Sequence, residues 1–222
     1  MRSEEALRLL DQLIRNRSIL QHPFYLAWQR GELTRNHLAT YATVYYPHVA
    51  AFPGYLRNAI RCAVDSVTRD ELQDNLADEL TNPAPHPELW LDFAEATGAD
   101  RATVKSCPPS PKTANTILSF DRLTAQDSAS GLAALYAYES QQPAVAAEKI
   151  QGLRSFYGIS SGEAVQYFTV HATADIKHCD AERVALGRCL ETGASTDEMM
   201  TAAEQSLDAY WNLLDGVCEA AA

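Results

Sequence analysis

The chain is short of positive charge: 18 lysines and arginines against 29 aspartates and glutamates leave a formal net charge of −11. Gripping a phosphate backbone or an anionic lipid surface takes clustered lysine and arginine, so neither nucleic acid nor membrane is an expected partner. No run of about eighteen apolar residues occurs, so no segment is expected to span a bilayer. The opening MRSEEALRLLDQL is amphipathic and acidic, without the basic and then continuously apolar stretch of a secretory signal. Cysteines are few and odd in number (Cys62, Cys107, Cys179, Cys189 and Cys218), and no two stand at CxxC spacing. That argues against a disulfide framework or a zinc knuckle and leads us to expect reduced thiols in a cytoplasmic protein.

Alternating β-rich runs are scarce as well. Apolar residues recur instead at three and four spacing nearly throughout, which predicts an all-α protein. With 222 residues and 46% hydrophobic content, one domain over 1–222 can bury a full core. Helices are expected near 3–18, 34–62, 68–80, 87–97, 111–126, 130–157, 160–191 and 196–219. Thr34 reads as an N-cap, and Gly98 and Gly193 suit helix ends. Pro47 and Pro53 fall inside one long helical pattern and Pro143 inside another, where kinks are expected. LTNPAPHPELW and SCPPSPK read as non-helical connections.

Chemistry concentrates in VHATADIKHCDAER. At about 100° per residue, His171, Asp175 and His178 point to roughly 0°, 40° and −20°, on one helix face. Neutral imidazole with carboxylate suits Fe(II), Mn(II) or Zn(II). The competing reading is a charged surface helix, since Lys177, Asp180, Glu182 and Arg183 are neighbours. Glu79, His86 and Glu139 could complete a site: three carboxylates largely offset the charge of two divalent cations, and six ligands leave positions for O2. Singly, each has an ordinary alternative, a solvated glutamate or a capping histidine. Glu139 sits among small apolar residues in GLAALYAYES, where a carboxylate needs a cation, a proton or an arginine. The Glu-x-x-His pairs of ferritin-like di-iron proteins are absent.

The ordered set Glu79, His86, Glu139, His171, Asp175 and His178, with HPFYLAWQRGEL, YYPHVAAFPGYL, LYAYESQQP and YFTVHATADIKH, resembles the haem-oxygenase-like di-metal oxidases over residues 5 to 215. Within them, the likeness is to the group formed by the chlamydial protein associating with death domains and its bacterial relatives. The resemblance implies a compact seven-helix bundle whose six named residues hold two metal ions, Fe/Fe or Fe/Mn, with O2 as co-substrate and an external reductant. It further implies synthesis of para-aminobenzoate, a folate precursor, from one of the protein's own tyrosines. By local motif that tyrosine is Tyr25 in HPFY, with Tyr138 in YAYES and Tyr167 in QYFTVH as the other implicated tyrosines and Lys149 in AAEKIQGL as amine donor. A homodimer is what the fold's relatives suggest.

Two other readings stay open. One keeps the site but acts on an external amine or acid, with the three tyrosines as relays or pocket walls. The other is an interaction module with a structural metal. Lys149 poses a geometric problem of its own: it lies ten residues beyond Glu139, roughly 15 Å along an ideal helix and about 80° around it, and reads most simply as a solvated lysine.

Overall fold

In the computed structural model, which describes residues 3–222, the described secondary structure is entirely helical. Eleven α-helices follow in order: α1 Ser3–Asn16, α2 Pro23–Gln29, α3 Arg35–Cys62, α4 Ser66–Thr81, α5 His86–Thr97, α6 Arg101–Ser106, α7 Pro111–Gln126, α8 Ser128–Glu139, α9 Gln142–Ser155, α10 Gly162–Glu191 and α11 Thr196–Ala221. A 3₁₀ turn over Ile19–Gln21 precedes α2. No helix among the described residues is long and apolar enough to cross a membrane.

The long helices form a bundle around α8, every residue of which is buried. Its sequence SASGLAALYAYE is small and apolar on all sides, as a helix surrounded by others requires. The flanking helices α11, α7 and α10 pack on it, α3 lies against α7 and α5, and α10 lies against α9, α5 and α4. Local signals set the boundaries. Thr34 accepts from the His37 amide while the His37 ring returns a bond to the Thr34 amide, and Gly98 adopts the left-handed conformation that closes α5.

α3 runs unbroken past Pro47 and Pro53. Nearby carbonyls find partners outside the helix: Ala42 accepts from the Trp90 indole at 2.8 Å and Val44 from the Thr113 hydroxyl at 3.1 Å. Pro143 does more than kink. The helix expected over 130–157 is two helices, parted at Ser140 and Gln141, with Pro143 in the first turn of α9 where its missing N–H is harmless. Two short helices, α2 and α6, lie outside the expected set, because six or seven residues are too few to display a period.

Gly152 allows α9 to approach α2. A Cβ there would lie 2.3 Å from Trp28 Nε1, which donates to the Glu148 carbonyl at 3.2 Å.

Candidate metal centre

Four helices deliver the six candidate side chains. Glu79 comes from the last turn of α4, His86 is the first residue of α5, Glu139 is the last of α8, and the remaining three lie on the inner face of α10. The first and second of these helices are linked by the proline-rich segment over 82–85, so a single tight connection sets Glu79 beside His86.

The structure gathers these residues into two triads. In the first, Glu79, His86 and His171 bring donor atoms within 4.8 Å of one another; Glu139, Asp175 and His178 do the same in the second. Glu79 Oε1 is 2.9 Å from His86 Nδ1 and 3.6 Å from His171 Nε2. His178 Nδ1 is 3.6 Å from Asp175 Oδ1 and 3.7 Å from Glu139 Oε2. All six are buried.

The outer edge of each imidazole decides what the inner edge can do. His86 Nε2 faces the Asn82 carbonyl at 3.1 Å and His171 Nδ1 the Tyr167 carbonyl at 2.6 Å, while His178 Nε2 faces Asp78 Oδ2 at 3.1 Å. Carbonyl and carboxylate oxygens only accept, so those nitrogens carry the protons. In the neutral rings the inward nitrogens then present lone pairs to carboxylates. His86 Nδ1, His178 Nδ1 and Asp175 Oδ2 accordingly have no hydrogen-bond partner among the described residues. Lone pairs facing carboxylates in a buried space repel unless a cation or protons lie between them. Histidines oriented from behind by an acceptor are the usual accompaniment of a metal site, and the donor set fits two divalent ions.

In the absence of metal, protons take that place. Burial lowers His171 and His178, but carboxylates outweigh it, Asp175 and Glu79 at the first and Asp175 and Glu139 at the second, and both rise to about 9. Burial raises Glu79, yet the close approach of the His171 and His86 rings brings it down to about 2. Glu139 goes the other way, pushed to about 8 by burial and by Asp175. Asn75 Nδ2 contacts both its oxygens, at 3.3 and 3.1 Å. No arginine pairs with Glu139 among the described residues.

A small cavity of about 10 Å³ adjoins the triads, walled by Phe52, Tyr138, Gln142 and Tyr167. A second of similar size holds Tyr25, Tyr41, Lys149 and Tyr210. Tyr167, Gln142 and His171 line both. The Tyr167 ring lies 4.1 Å from that of His171, and the Tyr138 hydroxyl is 3.0 Å from that of Tyr45. Tyr25 is fully buried, its hydroxyl without an aligned partner although the Tyr210 phenol is adjacent.

Lys149 is not a solvated lysine. It is 0% exposed, with Nζ 3.5 Å from the Tyr41 ring centre, 4.4 Å from Trp28 and 4.8 Å from Tyr25. The break between α8 and α9 removes the straight-helix geometry that would have carried it away. No polar atom among the described residues pairs with Nζ, and burial drives its pKa well below the ordinary lysine range, favouring the neutral amine.

Sequence reasoning missed Asp78, Asn75 and the tyrosines 41, 45 and 210 around Lys149. It counted Glu182 only within the competing reading of a charged surface helix. Glu182 is 3% exposed and lies beside Glu139, and burial together with Glu139 raises its pKa well above the carboxylate range. Its position four residues after His178 puts it on the same helix face, a signal that was there to be read.

Residues 39–211 match the model of a family described as iron-containing redox enzymes. The chain belongs to that family. It is 39% identical to the 4-aminobenzoate synthase of Nitrosomonas europaea, over 95% of this chain and 89% of that protein. To the 4-aminobenzoate synthase of Chlamydia muridarum it is 40% identical, over 98% and 93%. Among solved structures it superposes on a CADD-like protein of unknown function from Nostoc punctiforme with a TM-score of 0.79 at 19% identity, covering 99% of both chains. A TenA homologue from Pseudomonas syringae gives 0.80 at 16%, covering 98% and 93%. The fold is thus the haem-oxygenase-like helical bundle of this family, with more than the seven segments expected because α8 and α9 are parted and short helices such as α2 and α6 are added.

Proposed function

We propose that the chain is an O2-dependent di-metal oxygenase that makes para-aminobenzoate from its own Tyr25, with Lys149 as nitrogen donor. Glu79, His86 and His171 would hold one ion and Glu139, Asp175 and His178 the other, as Fe/Fe or Fe/Mn. The relatives named 4-aminobenzoate synthase support the product. The observation that carries the mechanism is the enclosed pair: an unpaired phenol and a neutral amine share one cavity of about 10 Å³. Such a space holds roughly one water-sized molecule, too little for an external aromatic or fatty substrate. The ring and nitrogen that the product needs are already inside.

When bound, reduced iron supplies the activation of O2 that oxidising a carbon–carbon bond requires, with an external reductant restoring it. The chain's residues do the rest. Burial keeps the Tyr25 phenol protonated and the Lys149 amine unprotonated, and the rings of Phe24, Tyr41 and Trp28 keep water from both. Tyr167, tilted against the His171 ring and lining both cavities, and Tyr138, beside Glu139 and packed on the Tyr210 ring, suit electron relay between the triads and Tyr25. The ring of Tyr25 becomes that of the product and its Cβ the carboxylate carbon once the Cα–Cβ bond breaks, with O2 as the oxidant; Nζ of Lys149 replaces the phenol oxygen, which leaves as water, and the Lys149 Cε–Nζ bond breaks, leaving Cε oxidised on the chain.

Intact mass before and after O2 reaches the reduced, metal-loaded protein tests this. We expect one loss per chain, localised by peptide mapping to Tyr25 and Lys149. Repeated turnover with unchanged mass would favour an external substrate.

A further inference from the structure

A cleft between α4 and α10 enclosing about 50 Å³ reaches the second triad at His178, through a lining that shares no residue with the cavity of Tyr138 and Tyr167. Asp74 and Lys177 are exposed at its mouth; deeper in it reaches the buried Asn75, His178 and Glu182. Glu182 is the odd residue. It is 3% exposed, neither carboxylate oxygen has a hydrogen-bond partner among the described residues, and it stands outside the triad while lying beside Glu139. A buried carboxylate without donors is costly, by several kcal/mol if charged. A proton relieves that cost in the absence of metal, and an arriving cation can take its place.

The geometry of approach agrees. The cavity on the tyrosine side is about 10 Å³, and although it reaches Glu79, Glu139, His171 and Asp175 as well as Phe52, Tyr138 and Tyr167, it has room for roughly one water-sized molecule, too little for a hydrated ion. The α4–α10 cleft is larger, and past a mostly apolar lining that includes Leu72, Leu132 and Ala185 it reaches the Glu182 carboxylate, the Asn75 amide and the His178 imidazole. We propose that this cleft is the route by which a divalent cation reaches and leaves the Glu139–Asp175–His178 position, and that Glu182 receives the ion and passes it to Glu139. The exchange is one of ligands only: the ion gives up bound water to Glu182 oxygen, then Glu182 for the triad, and any displaced proton leaves by the same cleft. The inference rests on the triad being a metal position, as proposed above.

The test uses Mn(II) with the anaerobic, metal-free full chain, following free Mn(II) by electron paramagnetic resonance during loading and during release to a chelator. Two variants are compared with the unaltered protein: Glu182→Gln, which keeps shape and removes charge, and Ala181→Leu, which narrows the cleft. Both should load one of two ions more slowly by about tenfold or more, the lower end of what a charged cleft adds to an association rate. Ala181→Leu should slow release by the same factor, leaving the equilibrium affinity unchanged, as narrowing a passage must. Unchanged loading in Glu182→Gln would overturn the proposal. So would loss of the second ion at equilibrium in that variant, which makes Glu182 a permanent ligand. If the unaltered protein binds fewer than two Mn(II), the metal-centre reading fails and takes this one with it. Circular dichroism checks that each variant is folded, and the isosteric Glu182→Gln carries the test if Ala181→Leu is not.

Discussion

His86 Nδ1 lies 2.9 Å from Glu79 Oε1, yet no aligned hydrogen bond joins them, because the ring's proton is held on the far side by the Asn82 carbonyl. Two acceptors brought face to face in a buried space describe a missing positive charge. The same pattern recurs at His171 and at His178, which is why the arrangement reads as a site for two ions rather than as a network of buried hydrogen bonds.

His171→Ala or His86→Ala should each remove one bound ion, and His178→Ala the other, by elemental analysis of the loaded protein. Asp78→Ala should keep both ions but weaken the second about 10–100-fold, because Asp78 only fixes the His178 ring. Equal ion loss in all four variants would mean the triads are one cooperative cluster.

The pKa shifts set the sign of the pH dependence. His171 and His178 stand near 9 against an ordinary 6.5, and Glu139 near 8 against 4.5. Each is raised on folding, so each stabilises the metal-free protein fully below its unfolded value and ceases to as pH climbs through the folded one. Glu79 is depressed to about 2, so its contribution is constant above its ordinary 4.5. The melting temperature of metal-free protein should therefore fall between roughly pH 6.5 and 9. Metal affinity should rise over the same window as those protons cease to compete. Thermal melts with and without chelator across this range check both trends.

Lys149→Met replaces an unpaired buried amine by an apolar chain of similar length. It should stabilise the fold by about 1–3 kcal/mol, raising the melting temperature by roughly 2–4 °C per kcal/mol, and should abolish para-aminobenzoate. A residue kept for stability would show the reverse in the melt.

How much of this was legible varies by residue. His171, Asp175 and His178 share one helix face, so spacing alone gathered them. Glu79, His86 and Glu139 come from three other helices, and no spacing rule connects them; ligand type and charge balance made them candidates, and the family resemblance joined them to the trio in one ordered set. Lys149 was misjudged because helical periodicity runs through 130–157, while Pro143 starts a new helix there and swings Lys149 inward. α2 was missed although its cap is local: His22 Nδ1 accepts from the Phe24 amide at 3.1 Å and Pro23 opens the helix. Glu182 was hidden by its charged neighbours, Asp180, which is exposed, and Arg183, which pairs with Glu4 and Asp11 of α1.

Gly152→Ala should lower stability by about 1–3 kcal/mol through overpacking, since the added methyl meets the Trp28 indole. Trp28 fluorescence should shift as its ring leaves the Lys149 cage. No shift would mean α9 moves instead.

The most direct measurement of the central claim is the isotopic origin of the product. Protein made with ring-labelled tyrosine and side-chain-¹⁵N lysine is loaded with metal, reduced and exposed to O2 without any aromatic additive. The account predicts para-aminobenzoate carrying both labels, at no more than one molecule per chain, and almost none from Tyr25→Phe with fold and metal intact. Unlabelled product, or sustained synthesis by Tyr25→Phe, would contradict it.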